Sequence, residues 1–134
     1  MIEITNTDLA EAFEKLSAKL AKPDYIVAVP RGGLYLAQYL SYYFELPKTK
    51  IIMALNKDEI LEKFKNLSKK EFYKLNILVC DDIYDTGNQF NLFEDFDFAT
   101  LFARARSSKL PENLQYGTLI KSDEYLHFPW DFEV

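Results

Sequence analysis

Residues 77 to 90, ILVCDDIYDTGNQF, run four apolar positions into the adjacent carboxylates Asp81 and Asp82, then into Asp85, Thr86 and Gly87. Neighbouring carboxylates repel and cost stability unless a cation or hydroxyl donors offset them. A sparse acidic pair of this kind suits magnesium, which takes one or two protein carboxylates and completes its shell with substrate oxygens and water. Asp-Thr-Gly between a strand and a helix offers a hydroxyl, a glycine that permits close approach and the free N–H groups of a helix start. Together these favour an anion such as a phosphate. The plainer alternative is a strand-to-helix turn capped by Asp85 or Thr86, preceded by a solvated acidic bend. No Gly-Lys-Ser/Thr follows, so this is not a Walker loop. Two carboxylates followed by a phosphate cradle describe a sugar-phosphate site.

The elements that must position these residues follow from the hydrophobic pattern. Leu9, Phe13, Leu16 and Leu20 recur at helical spacing over 8 to 21, with Asn6 or Thr7 as cap and Pro23 beyond the end. YIVAVP (25 to 30) reads as a buried strand that enters a tight loop at Arg31, Gly32 and Gly33; a helix is expected over 34 to 46 and a second strand over 50 to 55. Residues 56 to 75 are lysine-rich and helix-prone, with a capping box at SKKE (68 to 71), and are expected to form a mobile excursion. A third strand (76 to 80) leads into the acidic loop, then a short helix from 88 to 95 and a fourth strand from 98 to 103. The remainder reads as loop with one or two short strands and an aromatic tail.

Strands alternating with helices, two of them wholly apolar, predict an α/β single domain over residues 1 to 134, a mainly parallel sheet flanked by helices. Ligands of such sheets bind at the carboxyl ends of the strands, where both unusual loops fall, so the two should face one crevice.

The 134 residues are one domain's worth, and 49% hydrophobic with 28% charged residues is ordinary for a soluble globular chain. A net charge of −5 gives no basic footprint for nucleic acid. No stretch approaches the length of a membrane span, the N-terminus has no signal-peptide pattern, and the single Cys80 allows no internal disulfide. These features point to the cytoplasm, with neither nucleic acid nor membrane as partner.

ILVCDDIYDTGNQF resembles the phosphoribosyl-pyrophosphate-binding motif of the type I phosphoribosyltransferases, in which an apolar strand leads into two acids, two apolar residues and Asp-Thr-Gly. VAVPRGG (27 to 33) is similar to the Arg-Gly-Gly pyrophosphate loop of the family's purine salvage members. EYLHFPWDFEV (124 to 134) resembles the terminal segment of the xanthine-guanine branch, an aromatic and an aliphatic residue followed by Pro-Trp and Asp. The resemblance covers about residues 25 to 55 and 76 to 131 and implies a purine salvage transferase with a small C-terminal base-binding hood. It implies that phosphoribose passes from phosphoribosyl pyrophosphate to guanine, xanthine or hypoxanthine, with Mg2+ as cofactor and assembly as a homodimer or homotetramer.

The same resemblance implies roles for particular residues. Asp81 and Asp82 hold the ribose hydroxyls and, directly or through water, the metal. Thr86, Gly87, Asn88 and Gln89 hold the 5′-phosphate, while Arg31, Gly32 and Gly33 hold pyrophosphate. Asp85 accepts or steers the purine N7 proton as the catalytic residue. Tyr125 stacks on the base, Leu126 presents its backbone, Asp131 meets the exocyclic N2 of guanine, and Arg104 takes the place of the family's O6-donating lysine. Asn88 and Gln89 depart from the small or basic residue and the Thr or Ser usual after Asp-Thr-Gly. Residues 56 to 75 occupy the interval in which the family places the loop that closes over the site.

Other residues read more simply. His127, the only histidine, sits in a hydrophobic tail and is expected to pack or face solvent; Cys80 reads as a small apolar core residue. FNLFEDFDF (90 to 98), Tyr42, Tyr43 and Phe44 read as core or subunit contact, and Trp130 as core closure. A competing reading keeps the fold as a regulatory module that binds the sugar pyrophosphate or a nucleotide without chemistry.

Overall fold

The computed structural model describes residues 1–106 and 109–131. Its centre is a five-stranded sheet, β2 (Tyr25–Ala28), β3 (Ile51–Met53), β4 (Ile77–Tyr84), β5 (Asp97–Arg104) and β6 (Leu114–Ile120), in the order β3-β2-β4-β5-β6 with every neighbouring pair parallel. A separate two-stranded parallel ladder joins β1 (Ile2–Glu3) to β7 (Leu126–His127), so the aromatic tail is pinned to the first residues of the chain. No helix among the described residues is long and apolar enough to cross a membrane.

Alternation along the strands sorts the core into two layers. Ile26, Ala28, Leu78 and Cys80 face α1 (Asn6–Ser17) and α2 (Gly32–Tyr43), meeting Ala12, Leu16, Leu36, Ala37 and Leu40. Val27, Val29, Ile77 and Val79 face the other way, onto Ile60, Phe64, Phe93 and Phe96. Phe93, Phe98 and Phe102 are among the largest fully buried side chains, and burying each is worth about 1.5–3 kcal/mol. Helix α1 is capped by Thr5, not by Asn6 or Thr7: the Thr5 hydroxyl accepts from the Asp8 amide while the Asp8 carboxylate accepts from the Thr5 amide.

Residues 56 to 75 correct the expectation of a mobile excursion over the site. They form α3 (Lys57–Lys63) and α4 (Lys69–Tyr73), the latter started by the Ser68–Glu71 capping box. Ile60 and Phe64, one helical turn apart, insert into the Val27, Val79 and Phe96 layer, so this segment covers one face of the sheet. The helix after the acidic loop is also shorter than expected. It is the single turn α5 (Asn88–Asn91), and the following residues reach the core through Phe93 and Phe96 in turns.

Candidate functional site

Chain order reverses between β2 and β4, since β3 is laid beside β2 on one side and β4 on the other. The crevice outside the carboxyl ends of strands at such a reversal is the usual ligand site of an open α/β sheet. Two loops open there. Arg31 stands exposed at the start of α2, after a cis Pro30–Arg31 peptide, and the Gly33 amide donates to the Val29 carbonyl at 2.8 Å. The other loop follows β4, which runs further than its apolar residues suggest. Its ladder with β5 continues through Asp81↔Thr100 to Tyr84↔Ala103, so Asp81 and Asp82 lie on the strand itself and not in a loop.

Being successive strand residues, the two acids point to opposite sides of the sheet. Asp82 faces α2: a Cβ on Gly32 would overlap its carboxylate, and Trp130 Nε1 lies 3.5 Å from its Oδ2. Asp81 is 8% exposed, on the other side, and its Oδ1 accepts the amide of Asp82 at 2.8 Å. Burial, then repulsion from Asp82, pushes the Asp81 carboxyl up to about 8, and burial raises Asp82 as well. A cation or hydroxyl donors would offset that cost. No group of three or more His, Cys, Asp or Glu suited to a metal occurs among the described residues. A pair of carboxylates with room for substrate oxygens and water to complete the shell would suit magnesium.

Two cavities meet at Asp82, Ile83 and Asp85. One, of about 250 Å³, is lined by Asp81 and by Thr86, Gly87, Asn88 and Gln89, with Phe90 and Phe98. Gly87 turns there at φ +87°, and the Asn88 amide donates to the Thr86 hydroxyl at 3.3 Å. The other, of about 140 Å³, gathers Arg104, Tyr125, Leu126, Phe128 and Asp131 against Asp82 and Asp85. Arg104 is buried, with both Nη atoms engaged and its Nε left without a partner among the described residues. One Nη donates to Asp85 Oδ2 at 3.3 Å and the other to the Glu124 carbonyl, which ties the tail to β5. Tyr125 is 65% exposed at the mouth, and Asp131 accepts the Phe128 amide at 2.9 Å. A larger cavity, about 490 Å³ between α3, α4 and the starts of β4 and β5, lies at the opposite ends of the strands from every motif residue.

Two functional features escape the sequence reading. Arg106 Nε sits 2.6 Å from Asp85 Oδ1, so two guanidiniums grip that carboxylate; the Arg106 hydrogen bond, with Arg104 nearby, holds it below the usual carboxylate range. An extended chain puts positions 104 and 106 on one side, which pairs the two arginines without pointing to Asp85 as their partner. Trp130 stacks between Phe128 (centroids 4.9 Å) and Tyr35 (4.2 Å), joining the tail to the first turn of α2. No local pattern announces that partnership of Tyr35 and Trp130. Cys80, fully buried with its thiol pushed up by burial, is no nucleophile, and His127 Nδ1 lies 3.0 Å from Glu3 Oε2 beside the β1–β7 ladder.

Residues 2–134 match the family model of the phosphoribosyl transferase domain. The chain belongs to the phosphoribosyltransferase family. This phosphoribosyltransferase is similar to the xanthine-guanine phosphoribosyltransferase of Nitratidesulfovibrio vulgaris strain DP4, 30% identical over 115 residues that span 81% of this chain and 69% of that one. Among solved structures, the purine phosphoribosyltransferase of Pyrococcus horikoshii Ot3 shares its fold at TM-score 0.64 and 20% identity, covering 99% of this chain and 95% of that one. The Helicobacter pylori xanthine-guanine-hypoxanthine phosphoribosyltransferase does so at TM-score 0.61 and 20% identity, over 96% and 92% of the two chains. The parallel α/β sheet with helices on both faces is thus the fold of the purine phosphoribosyltransferases.

Proposed function

We propose that this phosphoribosyltransferase carries phosphoribose from phosphoribosyl pyrophosphate to N9 of a 6-oxopurine, releasing pyrophosphate and a nucleoside 5′-monophosphate. One observation carries the reading. Arg104, Tyr125, Leu126 and Asp131, from two distant parts of the chain, line a single cavity with Asp82 and Asp85, next to the cavity of Thr86 to Gln89.

The displacement passes through an oxocarbenium-like ribose, so the protein must stabilise positive charge at C1′ while the leaving pyrophosphate takes up negative charge. Asp82, which borders both cavities, meets the ribose hydroxyls and supplies negative charge below the ring, with Asp81 behind it. Arg31 and the Gly32–Gly33 turn at the start of α2 take the pyrophosphate. Thr86, Gly87, Asn88 and Gln89 take the 5′-phosphate. Asp81 and Asp82 would hold magnesium, directly or by way of water, and the ion would supply positive charge to the pyrophosphate oxygens. Tyr125 covers the base, with the Leu126 backbone and Asp131 at its edge, and Arg104 donates toward O6. Asp85, kept ionised by its arginines, is a weak base, so its task is to orient the N7 hydrogen and accept it only as charge develops on the purine.

Tyr125→Ala tests the assignment of the base side. Base stacking is worth about 1–3 kcal/mol, so the KM for hypoxanthine should rise about fivefold or more while that for phosphoribosyl pyrophosphate holds. An unchanged KM for the base would remove Tyr125 from the site.

A further inference from the structure

Asp85 borders both cavities, and its carboxylate is held from two sides. Arg104 comes from β5, buried and fixed by its second bond to the Glu124 carbonyl. Arg106 comes from the segment after β5 with its side chain 43% exposed, Nε at 2.6 Å from Asp85 Oδ1 and Nη1 at 3.7 Å from the exposed Asp123. The loop that begins at Asp85 is poorly supplied with positive charge. Thr86, Gly87, Asn88 and Gln89 are all neutral, the Asn88 amide is turned onto the Thr86 hydroxyl, and α5 is a single turn that contributes little helix dipole. A guanidinium beside this neutral loop would add a second charge-assisted bond to those its backbone N–H groups can make to a sugar 5-phosphate.

We propose that Arg106 is a donor-binding residue that exchanges Asp85 for the 5′-phosphate of the sugar pyrophosphate, and that this exchange releases Asp85 Oδ1 to the purine. The inference rests on the reading above that the cavity at residues 86–89 receives that phosphate. Asp85 directly precedes Thr86, so the exchange asks for rotation of a half-exposed arginine side chain at the edge of the loop. A guanidinium matches a phosphate in a two-pronged geometry that its single Nε contact with Asp85 does not use. Arg104 remains on Asp85 throughout and keeps the carboxylate charged and aimed. In the donor-free protein, Arg106 screens that carboxylate from the base; with donor bound, it holds phosphate instead.

Steady-state kinetics of Arg106→Gln and Arg106→Lys, with magnesium, phosphoribosyl pyrophosphate and hypoxanthine, test this. Arg106→Gln should raise the KM for phosphoribosyl pyrophosphate about tenfold or more, the loss expected for a hydrogen bond to a charged group, and Arg106→Lys should recover part of it. The KM for hypoxanthine should stay the same or fall, because Asp85 is no longer screened. A merely structural role would weaken both substrates together. That result, or an unchanged KM for the donor in an active variant, would overturn the exchange while leaving the transferase reading intact. A wild-type protein that neither makes nucleotide nor binds the magnesium complex of the donor would overturn both. If it binds donor without turnover, calorimetric dissociation constants for donor and for hypoxanthine carry the same comparison.

Discussion

At the scale of single residues, the proposed chemistry rests on Asp85. Paired with Arg104 and Arg106, it can orient and accept a proton late in the reaction, but it cannot bind one tightly beforehand. Asp85→Asn should therefore lower kcat by about a hundredfold or more, the usual reach of a positioned general acid or base, while the donor's KM changes little. Equal losses in kcat and donor affinity would take that role away. The acids on β4 make a different prediction. The Asp81 carboxyl is raised to about 8, so the folded protein retains a proton that the unfolded chain releases near the ordinary carboxylate value of 3.8. The stabilisation from this group is complete below pH 4 and is lost as pH rises toward and through 8. Melting temperatures measured without magnesium should fall across that window, and Asp81→Asn should flatten the fall; an equally steep decline in the variant would contradict the assignment. The candidate site residues Asp81, Asp82, Asp85 and Thr86 could be picked out of the sequence because they lie within one short stretch. The grip of Arg106 on Asp85 was not, since it depends on β5 running alongside β4 and delivering residue 106 to the end of its neighbour.

At the scale of elements, glycines mark where the site-bearing pieces touch. The first turn of α2 lies so close to β4 that a Cβ at Gly32 would overlap the Asp82 carboxylate. Since that obstacle is a side chain, Gly32→Ala should fold and melt nearly as wild type, yet raise the KM for the donor by displacing Asp82. Gly117 on β6 is different. A Cβ there would collide with the backbone carbonyls of Ala12 on α1 and Leu101 on β5, so Gly117→Ala should cost about 1–3 kcal/mol of stability. Denaturant titration checks it; an unshifted midpoint would mean that α1 yields freely. Strand and helix order could be read from apolar periodicity, but boundaries failed where tertiary pairing overruled local pattern. β4 continues through two aspartates because β5 pairs with it as far as Tyr84. The lysines of 57 to 74 suggested an exposed flap, although Ile60 and Phe64 at helical spacing already carried the signal of a packed face.

The whole molecule is organised so that distant motifs close on one crevice. The tail reaches it through the β1–β7 ladder, the Arg104 bond to Glu124 and the Tyr35–Trp130–Phe128 stack, three ties that no local sequence window contains. Outside the crevice, α2 leaves Tyr42 and Tyr43 75% and 51% exposed, and the edge strand β3 leaves Met53 58% exposed. Sedimentation should accordingly find the homodimer or homotetramer implied by family resemblance, and a monomer at micromolar concentration would contradict it. The central claim meets its most direct test in an absorbance assay with magnesium, phosphoribosyl pyrophosphate and each of guanine, xanthine, hypoxanthine and adenine in turn. Nucleotide formed from at least one 6-oxopurine, and not from adenine, is the expected result. No product from any of the four, or product from adenine alone, would contradict the assignment.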